Sequence, residues 1–252
     1  MRFRKLLEKT KVLRLTIAFI LVQIGVNAQQ EKQALWLSAE VKRELFKDFT
    51  VSTELNSRFT EIMGLETRFA EISGAYKLTK WFKPSIAYRI IGNKNKYGNV
   101  TASNRINVNL DFSHNLTKRL ELGFRVRYQH AIYSSSASSS GSSTEFEKSF
   151  RFKPELTYQI KKSKFKPSIS GEWFYSLSPS VRQYTVTRYR LYAGTSIDLK
   201  GANELNVNFI YGKPLTGSRA QEWILSLAYS FTWKNKKEKK AATEPSKHLD
   251  VD

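Results

Sequence analysis

An all-β fold, a transmembrane antiparallel up-and-down β-barrel of about 10 to 12 strands, is the class that three observations predict. Apolar and polar side chains alternate along one segment after another, the period-two signature of strands with one apolar face. These segments run to about ten to fifteen residues, roughly twice the usual globular strand and enough for a tilted crossing of a bilayer. Connections between them alternate between short and long, as in barrels whose short turns face the periplasm.

Composition agrees with that class. The 252 residues are 40% hydrophobic, with a mean hydropathy of −0.46, too polar for a bundle of membrane helices but suited to strands that are half polar. There is no cysteine, which excludes disulfides and a lipid-bearing cysteine.

The segment 1–28 reads as a secretory signal. Arg2, Arg4, Lys5, Lys9, Lys11 and Arg14 precede the apolar core Leu15 to Val26, and Val26-Asn27-Ala28 offers small residues for cleavage before Gln29. A retained helix is the alternative, but the uncharged stretch is shorter than the roughly 20 residues a span needs. Removing its six bases and one acid from the chain's 42 and 22 leaves a mature charge of +15. Residues 29–233 form the expected barrel, and 234–252 a basic tail carrying Lys234, Lys236, Lys237, Lys239 and Lys240, expected to be disordered.

The strands follow in order. Leu35, Leu37, Ala39 and Val41 alternate with Trp36, Ser38, Glu40 and Lys42; then Phe49, Val51, Leu55 and Phe59 with Ser52, Glu54, Asn56 and Arg58. A third segment, 69–78, sets Ala70, Ile72 and Tyr76 against Glu71, Ser73 and Lys77, and a fourth sets Ile86, Tyr88 and Ile90 against Ser85, Ala87 and Arg89. The clearest hairpin spans Asn104 to Tyr133. It carries Ile106, Val108, Leu110 and Phe112 against Arg105, Asn107, Asn109 and Asp111, then Leu120, Leu122, Phe124, Val126 and Tyr128 against Glu121, Gly123, Arg125, Arg127 and Gln129. Past a serine-rich loop, Phe150, Phe152 and Leu156 oppose Glu147, Arg151, Lys153 and Glu155, and Ile169, Trp173 and Tyr175 oppose Ser168, Ser170 and Glu172. Tyr189, Leu191 and Ala193 then oppose Arg188 and Arg190, before two final strands through Val207 and Phe209 and through Leu225 to Trp233. Eleven segments result. Because bacterial single-chain barrels have even strand numbers, either 34–42 lies outside the barrel, giving ten, or one more strand exists, giving twelve.

Ten or so strands with four or five large apolar side chains each cannot turn that face into a lumen, since eight strands already enclose only enough space for side chains to fill. The apolar face therefore points outward, to lipid. Aromatics at strand ends form two expected girdles: Tyr76, Trp81, Phe82, Phe165 and Trp233 by the short turns, and Phe59, Tyr133, Tyr175 and Trp223 by the long loops. A soluble two-sheet sandwich is the competing fold; it needs shorter strands.

The inward face then carries Glu54, Arg58, Arg89, Arg105, Asp111, Glu121, Arg125, Arg127, Glu147, Arg151, Glu155, Glu172, Arg188 and Arg190. Buried charges of both signs pair, which predicts a plugged lumen; Glu121 and Arg125 on one strand are expected to pair with Glu147, Arg151 and Glu155 on the next. A narrow anion-preferring channel is the alternative. Chemistry is sparse: His114, His130 and His248 have no triad or metal partner at recognisable spacing. A phospholipase built on lipid-facing His130 is a lesser alternative. No catalysis, cofactor or metal is expected, nor any nucleic acid, because the positive charge is inflated by the signal and tail.

Trp36 opening the first strand, Glu54-Leu55-Asn56-Ser57-Arg58 closing the second, the Tyr76 to Tyr88 turn, and Arg105 beginning a run of alternating Asn and aliphatics resemble an uncharacterised family of small outer-membrane barrels found widely in Bacteroidetes. The resemblance covers about residues 33 to 233. It implies export to the outer membrane of a Gram-negative bacterium, with the barrel assembly machinery and outer-membrane lipid as partners. It brings no assigned activity, and the ligand of the extracellular loops stays unknown.

Overall fold

The computed structural model describes residues 31–61, 64–94, 97–132, 148–177, 185–199, 201–216 and 220–233. The expected signal segment and the expected basic tail lie outside the described residues. Eleven strands make one closed barrel: β1 (Glu31–Phe46), β2 (Phe49–Thr60), β3 (Gly64–Tyr76), β4 (Phe82–Lys94), β5 (Val100–Asn115), β6 (Leu120–Ile132), β7 (Lys148–Tyr158), β8 (Phe165–Ser176), β9 (Val186–Asp198), β10 (Asn203–Pro214) and β11 (Gln221–Trp233). Each strand pairs antiparallel with its chain neighbour, and β1 closes the ring by pairing parallel to β11.

That seam replaces both alternatives for the strand count. In an up-and-down barrel with an odd number of strands the first and last run the same way, so closure has to be parallel. β1 is inside the barrel, and its outward Leu35, Leu37 and Val41 stand beside Leu225, Leu227 and Phe231. The seam thus continues the apolar surface, although slanted parallel bonds hold slightly less per residue than antiparallel ones. Strands also run beyond the predicted apolar segments. β3 starts at Gly64, which turns the chain with a φ of 58°, and β4 and β5 reach Lys94 and Val100, past the apolar runs that end at Ile90 and begin at Ile106. Polar strand ends carry no apolar alternation, which is why sequence patterning trims them.

The sidedness is as alternation and volume require. Leu55, Ile72, Ile86, Ile90, Ile169, Leu191 and Phe209 are exposed on the outer face, whereas Asn107, Asn109, Gln129, Arg188 and Arg190 are buried on the inner one. A 13-residue strand, rising about 3.3 Å per residue and tilted by roughly 40°, climbs about 33 Å, the thickness of a bilayer's hydrocarbon core. Eleven strands enclose more than eight do, and the extra interior is filled by long side chains: Trp36, Phe69, Phe174, Tyr192 and the arginines. On β10 and β11 the inner positions Gly212, Ser226 and Ala228 are small, leaving room for Trp36 and Arg190 to approach each other across these two strands. At Gly194 a Cβ would lie 2.4 Å from the carbonyl oxygen of Val207, so β9 and β10 can pass there only with glycine.

Candidate functional site: the lumen

Inward parity on seven strands brings four guanidinium groups and three aromatic rings into one alternating series. The Arg89 guanidinium lies 3.7 Å from the centre of the Phe69 ring, and Arg58 lies 5.3 Å from the same ring and 4.0 Å from Trp36. Arg190 lies 4.9 Å from Trp36 and 5.0 Å from Phe174, whose ring also receives Arg151 at 4.5 Å. The series runs from β4 through β3, β2 and β1, crosses the lumen to β9, and ends through β8 on β7. Each such contact away from water is worth up to about 2 kcal/mol. A planar guanidinium can stack on a ring while its edge still donates hydrogen bonds, which lysine cannot do.

Acids brace the series at several points. Glu71 accepts from Arg89 at 2.6 Å and from Asn107 at 3.1 Å, with the Arg89 and Glu71 side chains both nearly enclosed. Glu172 accepts from the Tyr192 hydroxyl at 2.5 Å and stands 3.8 Å from Arg151. Glu222 stands 3.4 Å from Arg188 and 3.9 Å from Arg190. Glu54 sits opposite Glu71 in the β2/β3 pair and accepts from Asn56 at 3.4 Å. Nearer the short turns, Asp111 accepts from Arg125 at 2.5 Å, Glu155 pairs with Lys153 at 2.9 Å, and Asp198 with Lys166 at 2.7 Å.

The predicted charged residues fall unevenly on this framework. Those of β2, β4, β5, β8 and β9 face the lumen, as do Arg125, Arg127, Arg151 and Glu155; Glu147 lies outside the described residues. Among the described residues no ion pair forms between β6 and β7, because register sets cations opposite cations. Arg127 faces Arg151, Arg125 faces Lys153, and Glu121 faces Thr157. The outer face explains this register: it aligns Val126 with Phe152 and Tyr128 with Phe150, whose rings sit 5.4 Å apart. Partners come from elsewhere instead. Arg127 donates to the Asn109 amide oxygen at 2.5 Å, and Arg151 donates to Gln129.

Sequence reasoning missed Phe69, Phe174 and Tyr192 as lumenal residues, and placed Trp36 on the inner face without giving it a role. An aromatic at the parity of neighbouring charges is the available signal: Phe69 shares its face with Glu71, and Phe174 with Glu172.

At the short-turn rim Tyr76, Trp81, Phe165 and Trp233 are exposed, and Phe82 stacks on Phe112 at 4.8 Å and on Trp81 at 5.8 Å. At the other rim Trp223 is exposed, packs 4.9 Å from Tyr211 and donates its indole N–H to Glu31 at 2.6 Å. Phe59 and Tyr175 lie near the same rim at the ends of β2 and β8, and Tyr133 lies outside the described residues. His130 points outward, stacked on Tyr128 at 6.4 Å and opposite Lys148. His114 is the next-to-last residue of β5, and His248 lies outside the described residues. Among the described residues no three His, Cys, Asp or Glu side chains are grouped to hold a metal ion.

Comparison with curated proteins finds no match to this chain. A family model described as a protein of unknown function, DUF2490, matches residues 33–241, most of the chain, and the chain belongs to that family.

Proposed function

We propose that this chain is an outer-membrane barrel of structural or binding type, exported with removal of residues 1–28, whose lumen is closed and which performs no catalysis. The guanidinium and aromatic series across the lumen carries this reading. Four arginines stacked on rings, two of them between a pair, and braced by Glu71, Glu172 and Glu222 occupy the interior that a pore would need. Closure leaves recognition to the longer loops at the rim opposite the short turns.

Two features support the membrane setting. The outer face is apolar around the whole ring, the parallel seam included, and a contiguous exposed patch of that size has no use in water. The short turns expose Lys47, Lys77, Lys80, Lys118, Arg119, Lys161, Lys162 and Lys164 with Asp48 as their one acid, so lysine stems can lie along apolar surface with their heads at lipid phosphates. Assembly through the barrel assembly machinery and a Bacteroidetes-type source belong to the same reading. Fractionation tests it: the mature protein should begin at Gln29, sediment with outer membranes and migrate as a heat-modifiable band. A soluble periplasmic protein with no heat-dependent shift would contradict it.

A narrow anion-preferring channel is the second reading, favoured by one observation: arginines outnumber carboxylates in the middle of the lumen.

A further inference from the structure

The described short turns between β1 and β2, β3 and β4, β5 and β6, and β7 and β8 each set a cation beside an exposed apolar side chain. Lys47 follows Phe46, Leu78 lies between Lys77 and Lys80, Leu116 precedes Lys118 by two residues, and Ile160 adjoins Lys161. That juxtaposition fixes the depth of the charge. The apolar group holds each turn against the edge of the hydrocarbon, so the cation beside it stands level with lipid phosphates instead of out in solution. Among the described residues none of these turn cations is in an ion pair. At the opposite rim the described charges are mixed and partly paired, with Lys32 2.8 Å from Glu66 and Arg188 3.4 Å from Glu222.

The parallel seam adds an independent feature. Arg43 keeps the outward parity of Val41, so it stands on the lipid-facing surface across from Trp233, its guanidinium 5.7 Å from the centre of that ring. Its neighbour on the other side is Val51. Among the described residues it is the one fixed charge at an outward position in the short-turn ends of the strands. An outward arginine is costly at mid-bilayer, but the strand end puts this one within reach of headgroups, where its face stacks on the indole and its edge suits a phosphate. We infer that the short-turn rim is a collar for acidic phospholipid: the turn lysines gather anionic headgroups, and Arg43 with Trp233 seats one phosphate at the seam. The collar rests on the membrane setting proposed above and is indifferent to whether the lumen is open.

The test uses the full mature barrel refolded into phosphatidylcholine vesicles carrying a trace of spin-labelled phosphatidylglycerol or, in parallel, spin-labelled phosphatidylcholine. Electron spin resonance separates lipid slowed at the barrel wall from bulk lipid and so gives the relative association of the two. Phosphatidylglycerol should be preferred about twofold or more at low salt, and the preference should fall towards parity in about 1 M sodium chloride, where the screening length is about 3 Å. Combining Lys77→Gln, Lys80→Gln, Lys118→Gln and Lys161→Gln should remove most of the preference, and Arg43→Gln alone should lower it. Lys94→Gln with Lys148→Gln, at the opposite rim, should leave the larger part. Equal association of the two lipids, a preference insensitive to salt, or one untouched by the combined lysine variant would overturn the collar. So would a barrel indifferent to lipid charge that sediments with peptidoglycan instead, since the rim would then serve a polymer. An unchanged preference in Arg43→Gln would overturn the seat at the seam. Failure of the membrane setting looks different: a barrel that stays out of the vesicles slows no lipid, whereas one that slows both lipids equally loses the collar alone.

Discussion

Two sectors of the lumen are built on opposite terms. Across β3 and β4 charge is matched, with Arg89 opposite Glu71 in the register and 2.6 Å from it in space. Across β6 and β7 charge is opposed, with Arg127 facing Arg151 and Arg125 facing Lys153. Both sectors have ordinary ladders and continuous apolar outer faces. The difference teaches that packing on the outer face and the hairpin connections set register here, and that inner charges then find what partners they can, on the strand to their other side or along their own strand. Lys153 reaches Glu155 on its own strand, and Arg125 reaches back to Asp111 on β5.

The comparison breaks most severely at the matched sector. Glu71→Ala leaves Arg89 and Asn107 enclosed without their acceptor and is expected to cost about 3 to 5 kcal/mol, the loss typical of removing one partner from a buried pair. Urea unfolding of the barrel refolded into vesicles measures it, and a loss under about 1 kcal/mol would show that the pair is not a brace. A smaller effect is expected where the sectors meet. Phe174→Leu keeps most of the apolar volume but removes the ring between Arg151 and Arg190, costing about 1 to 2 kcal/mol in the same measurement; a neutral outcome would make the stacking incidental. The opposed sector should respond least. Arg127→Gln removes one member of a like-charged pair and is expected to change stability by less than about 0.5 kcal/mol or to raise it, so a loss resembling that of Glu71→Ala would erase the distinction between sectors.

How much of this was legible in the chain follows from the same physics. Period-two alternation marked all eleven strands and the inner and outer faces, because a single-residue slip would turn an apolar face inward. Closure was not legible: nothing in residues 34–42 or 221–233 encodes which edge meets which, and the even-number habit of bacterial barrels pointed away from the parallel seam. The partners of the charged residues were not legible, since pairing depends on register across strands such as those of Arg127 and Arg151. Phe69 and Phe174 escaped for another reason, and Trp36 carried its inner parity without a role. Aromatics suit interfaces and lipid-facing positions, yet these three sit among charges because an eleven-stranded interior has volume that only large side chains fill.

Planar-bilayer recording of the purified mature barrel tests the central claim, a lumen closed by stacked arginines, most directly. The account predicts a silent membrane in which the folded protein is present and no stable current steps occur. Reproducible steps with anion preference, altered by Arg125→Ala and Arg151→Ala, would contradict it and make the lumen a channel.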